Sequence, residues 1–61
     1  MNLKEIVAAV DSGKTVHWCT PDYRVVLDRS VGRYYIRGGL TNAALTNDGK
    51  LVGQEAEFFL A

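Results

Sequence analysis

Sixty-one residues with seven Lys/Arg against seven Asp/Glu leave room for one domain, spanning 1–61, and one modest core. A formal charge of zero gives no support to a global attraction to nucleic acid or anionic membrane, and a lone cysteine, Cys19, rules out a disulfide framework within one chain. A chain this short buries only about 60% of its unfolded surface, so its stability has to come from good local structure or from self-association.

The first segment is the clearest. Leu3, Ile6, Val7 and Val10 recur at i, i+3, i+4 and i+7, which sets them on one helical face. Asn2 as N-cap with Glu5 at N3 reads as a capping-box variant. Ala8 and Ala9 favour the helix middle, and Gly13 supplies a left-handed exit. A helix over residues 2–12 follows.

After Gly13 the period changes to two. Thr15-Val16-His17-Trp18-Cys19 reads as a strand and Thr20-Pro21-Asp22 as turn chemistry. Tyr23–Asp28 is a second strand, and Arg33–Arg37 is a third, reached through Ser30-Val31-Gly32. Burying Val25 and Leu27 with Tyr34 and Ile36 places Arg24, Asp28, Arg33, Tyr35 and Arg37 on the opposite face beside Val26. A bulge at Gly32 would instead align Leu27 with Tyr35; burial favours the first register.

Gly38-Gly39 marks a break or bulge. Leu40–Thr46 reads as a fourth strand with Ala43 and Ala44 as small packing residues, and Asn47-Asp48-Gly49-Lys50 as a hairpin turn back into Leu51-Val52. Glu55–Leu60 reads equally as a helical turn or a last strand. The predicted architecture is α+β: an N-terminal helix packed on an antiparallel meander of three to five strands.

Residues 1–40 carry six bases against four acids, and residues 41–61 carry Lys50 against Asp48, Glu55 and Glu57. If those halves lie at opposite ends, the molecule is dipolar. No apolar run approaches the roughly 20 residues that span a bilayer. Glu5 and Asp11 interrupt the N-terminus, which does not read as a signal peptide. The single thiol fits a reducing compartment, so a cytoplasmic location is expected.

Three stretches carry a resemblance: Ala9-Val10-Asp11-Ser12-Gly13-Lys14-Thr15-Val16-His17-Trp18, then Tyr23-Arg24-Val25-Val26 to Tyr34-Tyr35-Ile36-Arg37, then Leu45-Thr46-Asn47-Asp48-Gly49 followed by Glu57-Phe58-Phe59. In order and spacing they resemble small uncharacterised proteins of similar length encoded by bacteriophages and prophages. The segment from Gly38 to Ala44 departs from that pattern, which is more polar and lacks the double glycine. No functional residue carries over. The resemblance implies a small phage accessory protein, in a bacterial host cell, of a kind that often acts by contacting a host protein.

The chemistry-bearing residues are few. His17 and Cys19 share a strand face with Asp22 just beyond, but a structural zinc site normally needs four ligands in characteristic pairs, and no second pair exists. Nucleophilic catalysis needs a nucleophile, a positioned base and an orienter. One histidine and one thiol do not make that set, and Gly38-Gly39 is too short for a phosphate loop. No catalytic residue, cofactor or metal is therefore expected.

The informative surface is the arginine–tyrosine face of Arg24, Arg33, Tyr35 and Arg37, residue types enriched at protein–protein hot spots and also able to stack bases and pair phosphates. Trp18, Phe58 and Phe59 are candidate dimer or partner contacts. The leading expectation is a non-enzymatic module that binds a protein partner, with a homodimer as one form. A small nucleic-acid-binding module is the alternative.

Overall fold

The computed structural model describes residues 1–61. Helix α1, Leu3–Asp11, starts where the sequence puts it. Asn2 Oδ1 accepts from the Glu5 N–H at 2.8 Å, and Glu5 Oε1 accepts from the Asn2 N–H at 2.9 Å. It closes with paired bonds, Lys14 N–H to Ala9 O at 2.9 Å and Gly13 N–H to Val10 O at 3.0 Å, with Gly13 at φ +85°.

Seven strands follow: β1 Val16–Trp18, β2 Thr20–Asp28, β3 Arg33–Gly38, β4 Thr41–Ala44, β5 Thr46–Asn47, β6 Lys50–Leu51 and β7 Phe58–Leu60. Five form an antiparallel sheet in the order β4-β3-β2-β1-β7, and β5 with β6 forms a separate hairpin. The α+β expectation is met.

The core is one layer between α1 and the inner sheet face. Ile6 and Ala9 from the helix meet Val16, Val25, Ile36, Leu45 and Phe58. Apart from the two helical residues, each comes from a different strand or junction, so no element keeps a buried surface of its own. Val25 lies opposite Ile36 and Leu27 opposite Tyr34, which is the register favoured on burial grounds. Arg24, Val26, Asp28, Arg33, Tyr35 and Arg37 then share the outer face, on which neither the helix nor the small hairpin packs.

Three expectations change. Thr20-Pro21-Asp22 is not the turn between β1 and β2. The chain reverses at Cys19, in the left-handed region at φ +61°, and Thr20 already pairs with Trp18. Because His17 pairs with Arg24, the residues Pro21, Asp22 and Tyr23 are accommodated as a bulge in β2. Proline has no N–H to give to a ladder, and an unpaired bulge demands none.

Gly38 is the counterpart of that bulge. A Cβ there would stand 2.5 Å from Asp22 O and 2.6 Å from the Tyr23 ring, so only a glycine lets β3 approach the excursion. It is the last residue of β3, and the break falls at the two-residue turn Gly39-Leu40, which pairs Gly38 with Thr41.

The expected fourth strand is divided at Leu45. Its N–H donates to Tyr34 O at 3.0 Å in the main sheet, while its carbonyl accepts from Val52 N–H at 2.8 Å beside the small hairpin. Ala43 and Ala44 are exposed rather than packing residues, because β4 is the sheet edge. Beyond Leu45, the Asn47–Lys50 turn forms as expected, with Asp48 at φ +54° and Gly49 at φ +77°.

Both readings of the C-terminal segment hold in succession: a 3₁₀ turn over Glu55–Glu57, then β7. Since β4 lies at one edge and β7 at the other, residues 41–61 bracket the sheet, and the two halves of the chain do not lie at opposite ends.

Replacing Gly38 with Ala is expected to lower stability by about 1–3 kcal/mol through overpacking against the bulge. Phe58→Ala is expected to cost about 3–5 kcal/mol through the cavity it leaves. Urea midpoints measure both, and an unchanged Gly38→Ala midpoint would contradict the tight approach.

Candidate functional site

The outer face is organised in cross-strand rows. Phe59 lies opposite His17 on β7 and β1, His17 opposite Arg24, Arg24 opposite Arg37, and Arg37 opposite Asn42. One continuous row thus crosses all five strands. The next row is Val26, Tyr35 and Ala44, followed by Asp28 and Arg33. All four residues of the arginine–tyrosine set lie on this face.

Their surroundings differ. The Arg37 guanidinium lies over the Tyr35 ring, 5.6 Å from its centroid. Its Nε donates to Asn42 Oδ1 at 2.9 Å, and Nη2 reaches Asp28 Oδ2 at 3.5 Å. That pair is exposed, so solvent screening leaves it little weight in the stability of the sheet. Arg24 stands directly across from Arg37, a like-charge arrangement that disfavours the sheet slightly. Neither Arg24 nor Arg33 has a hydrogen-bonded or ionic partner. Three cations against one carboxylate make this face locally basic in a chain that is neutral overall.

His17 is fixed by the bulge. Its Nδ1 donates to Tyr23 O at 2.9 Å, which turns Nε2 away from that carbonyl. Its ring packs against Phe59 with centroids 5.4 Å apart. A shallow polar depression of about 740 Å³ opens beside it, with His17, Asp22, Arg24, Arg37 and Asn42 in its lining. A second depression of about 570 Å³ lies between α1 and the small hairpin, lined by Leu3, Val7 and Leu45 with Arg33 at its rim.

The three aromatic contact candidates do not form a common surface. Phe58 is only 3% exposed and belongs to the core, so it is not available to a partner. Trp18 faces inward beside it, half-buried and edge-on to Tyr23 at 5.3 Å. Phe59 alone is open, and β-strand alternation sends it to the outer face. It therefore joins the arginine–tyrosine set, together with His17, which the sequence reading assigned only to metal or dyad chemistry.

The expected side-by-side placement of His17 and Cys19 is not found. The reversal at Cys19 carries its thiol toward Glu57 Oε2, at 3.7 Å, while His17 bonds to the bulge. No three His, Cys, Asp or Glu side chains come together in a metal-holding group. Although Cys19 is exposed, local desolvation by neighbouring atoms, and next the Glu57 carboxylate, push its thiol above the ordinary value, which is the reverse of an activated nucleophile.

Glu57 organises the other end of this junction. Its Oε1 accepts from Gln54 N–H at 2.7 Å and from Trp18 Nε1–H at 3.4 Å. Chiefly the Gln54 bond holds its carboxyl below the ordinary 4.5, despite opposing desolvation. Asp28 is likewise held below its ordinary 3.8, first by the Ser30 hydroxyl at 2.5 Å and its N–H at 3.0 Å, with Arg37 adding less. In Tyr34 the phenol is pushed up, mainly by donating to Asp11 at 2.5 Å.

Depressed carboxyl values stabilise the fold while the groups are ionised, so that contribution is complete above the ordinary values. It is lost as pH falls through the lower folded-state values. Stability is therefore expected to decline below about pH 4.5, and Glu57→Gln to flatten part of that acid limb. Urea midpoints taken from neutral pH down to about pH 3 test this; an identical acid slope in Glu57→Gln excludes the role. Neither a protein-family model, nor a curated protein, nor a solved structure matches this chain, and its functional reading rests on the geometry of the outer face.

Proposed function

We propose that this chain is a small phage- or prophage-type accessory protein that works by binding a protein partner, not by catalysis, through the outer face of its sheet. The observation that carries this reading is the pair of unpartnered cations, Arg24 and Arg33, set among Val26, Tyr35, His17 and Phe59 on an uncovered face. Arginine beside tyrosine and half-buried apolar surface is the composition of interface hot spots. An acidic patch on the partner complements it.

The engagement of His17 with the bulge and of Cys19 with Glu57 supports a binding role over a catalytic one, since each leaves its group held by structure and not by a nucleophile–base pair. None of the helices is long and apolar enough to cross a membrane. The single thiol fits a reducing compartment, so the proposed site of action is the bacterial host cytoplasm.

One observation favours a second reading. The row Phe59, His17, Arg24 and Arg37 sets two stacking rings beside two cations along one line, which suits single-stranded nucleic acid. The protein reading is preferred because the chain is neutral overall and Arg37 is already engaged by Asp28 and Asn42, which leaves Arg24 as the one free arginine in that row to meet a phosphate backbone.

Affinity capture from bacterial lysate, with and without nuclease, separates the two. A protein recovered equally in both arms and lost with Arg24→Glu/Arg33→Glu is the expected result. Recovery of nucleic acid alone, with binding that weakens steeply as salt rises, overturns it in favour of the second reading.

A further inference from the structure

The two edges of the sheet are not equivalent. Flanking the β1–β7 ladder, Cys19 N–H donates to Glu57 O and Ala61 N–H to Thr15 O, so the alternation makes His17–Phe59 the hydrogen-bonded pair between them. The backbone groups of Phe58 and Leu60 then point outward. Of these, Phe58 O is met by Met1 N at 3.5 Å, and Met1 N also lies 2.6 Å from Glu55 O. The first residue of the chain thus lies along this edge.

The β4 edge has no such cover. Leu45 N–H donates to Tyr34 O, which sets the alternation: Thr41, Ala43 and Leu45 turn their backbone groups toward β3. Asn42 and Ala44 turn theirs outward. All four residues of β4 are exposed, and none is charged, a proline or a bulge, the usual devices that keep edges apart. Beside them Leu40 is the most exposed large apolar side chain in the molecule, at 106%.

We infer that β4 pairs antiparallel with β4 of a second copy of this chain, joining two five-stranded sheets into one. A single register satisfies the free groups best. With the two-fold axis at Ala43, Asn42 lies opposite the partner's Ala44 and Ala44 opposite the partner's Asn42, so both outward residues of each strand are hydrogen-bonded. Shifting by one residue in either direction, to centre on Asn42 or Ala44, pairs one of them with itself and sends the other past the strand end.

At the axis the two Ala43 side chains meet in a non-hydrogen-bonded pair, where Cα atoms approach to about 4.5 Å and small residues fit best. The pairing sets no charge against its like on the adjoining strands. It also brings Leu40 beside the partner's Thr46, which gives that side chain a neighbour. This choice of occupant rests on self-complementarity: a neutral, small-residue strand meets its own copy without penalty, and nothing in its side chains selects a different sequence. The inference is independent of the proposed partner-binding role, because the outer-face arginines take no part in it.

Sedimentation equilibrium of the full chain from about 10 µM to 1 mM is the test, since a four-bond edge contact is small and gives a weak complex. The expected result is a mass rising with concentration from 6.7 kDa toward twice that value. Two variants should weaken association at least tenfold. Ala44→Pro removes an outward N–H and leaves the β3 ladder intact, and Ala43→Lys places two ammonium groups across the axis. A circular dichroism spectrum and urea midpoint near those of the parent confirm that each variant folds, and Ala43→Lys leaves the backbone untouched.

A parent chain that stays monomeric throughout overturns the inference. So does association that survives both variants, or that is lost with Phe59→Ser and not with either β4 change, since that result puts the interface at β7.

Discussion

The pairing of Val25 with Ile36 is the constraint on which the rest depends. Side chains alternate along a strand, so this one register decides which residues meet α1 and which meet solvent. A slip by one residue would bring Arg24 or Val26 opposite Ile36 and set charge against Ile6 and Ala9. With only seven buried residues, no other part of the core is large enough to hold the sheet against such a loss. The outer face is the complement of the core: its arginines sit together because the aliphatic residues between them are drawn inward.

A second level of organisation comes from the bulge at Pro21–Tyr23. It adds residues to β2 without shifting β2 against β3, which brings His17 into line with Arg24 on the outer face. His17 bonds the bulged carbonyl, Tyr23 packs on Trp18, and Gly38 gives the excursion room. Local irregularity and surface composition are thus linked: the row from Phe59 to Asn42 is continuous only because the strand is not.

Much of this was legible in the sequence where the determinants are local. The Asn2–Glu5 box, the Gly13 exit and the Asn47–Lys50 turn each depend on residues within one or two turns of chain, and each forms as read. The β2–β3 register was legible because only one alignment buries aliphatics on a single side. What was not legible depends on distant partners. Cys19 takes a positive φ because its N–H meets Glu57 O from the far end of the chain, and no neighbouring residue announces that. Leu45 divides a strand because it satisfies Tyr34 on one side and Val52 on the other. Of two adjacent phenylalanines, the sequence requires only that they diverge; which one enters the core is decided by the phase of β7 against β1, so the contact role assigned to Phe58 could not be tested by pattern alone.

The junction of β1 with β7 also bears on the order in which the molecule assembles. Every other pair of neighbours in the main sheet is joined by a short connection, so those ladders close small loops. Only β1–β7 joins segments about forty residues apart, with Trp18 opposite Phe58, and it carries the largest loop-closure entropy. Contact order therefore favours condensation of that ladder onto a sheet formed by the meander. The sole tryptophan stands in it, beside the Glu57 carboxylate. Its emission consequently reports the β1–β7 closure together with its packing on Tyr23 beside the β1–β2 hairpin.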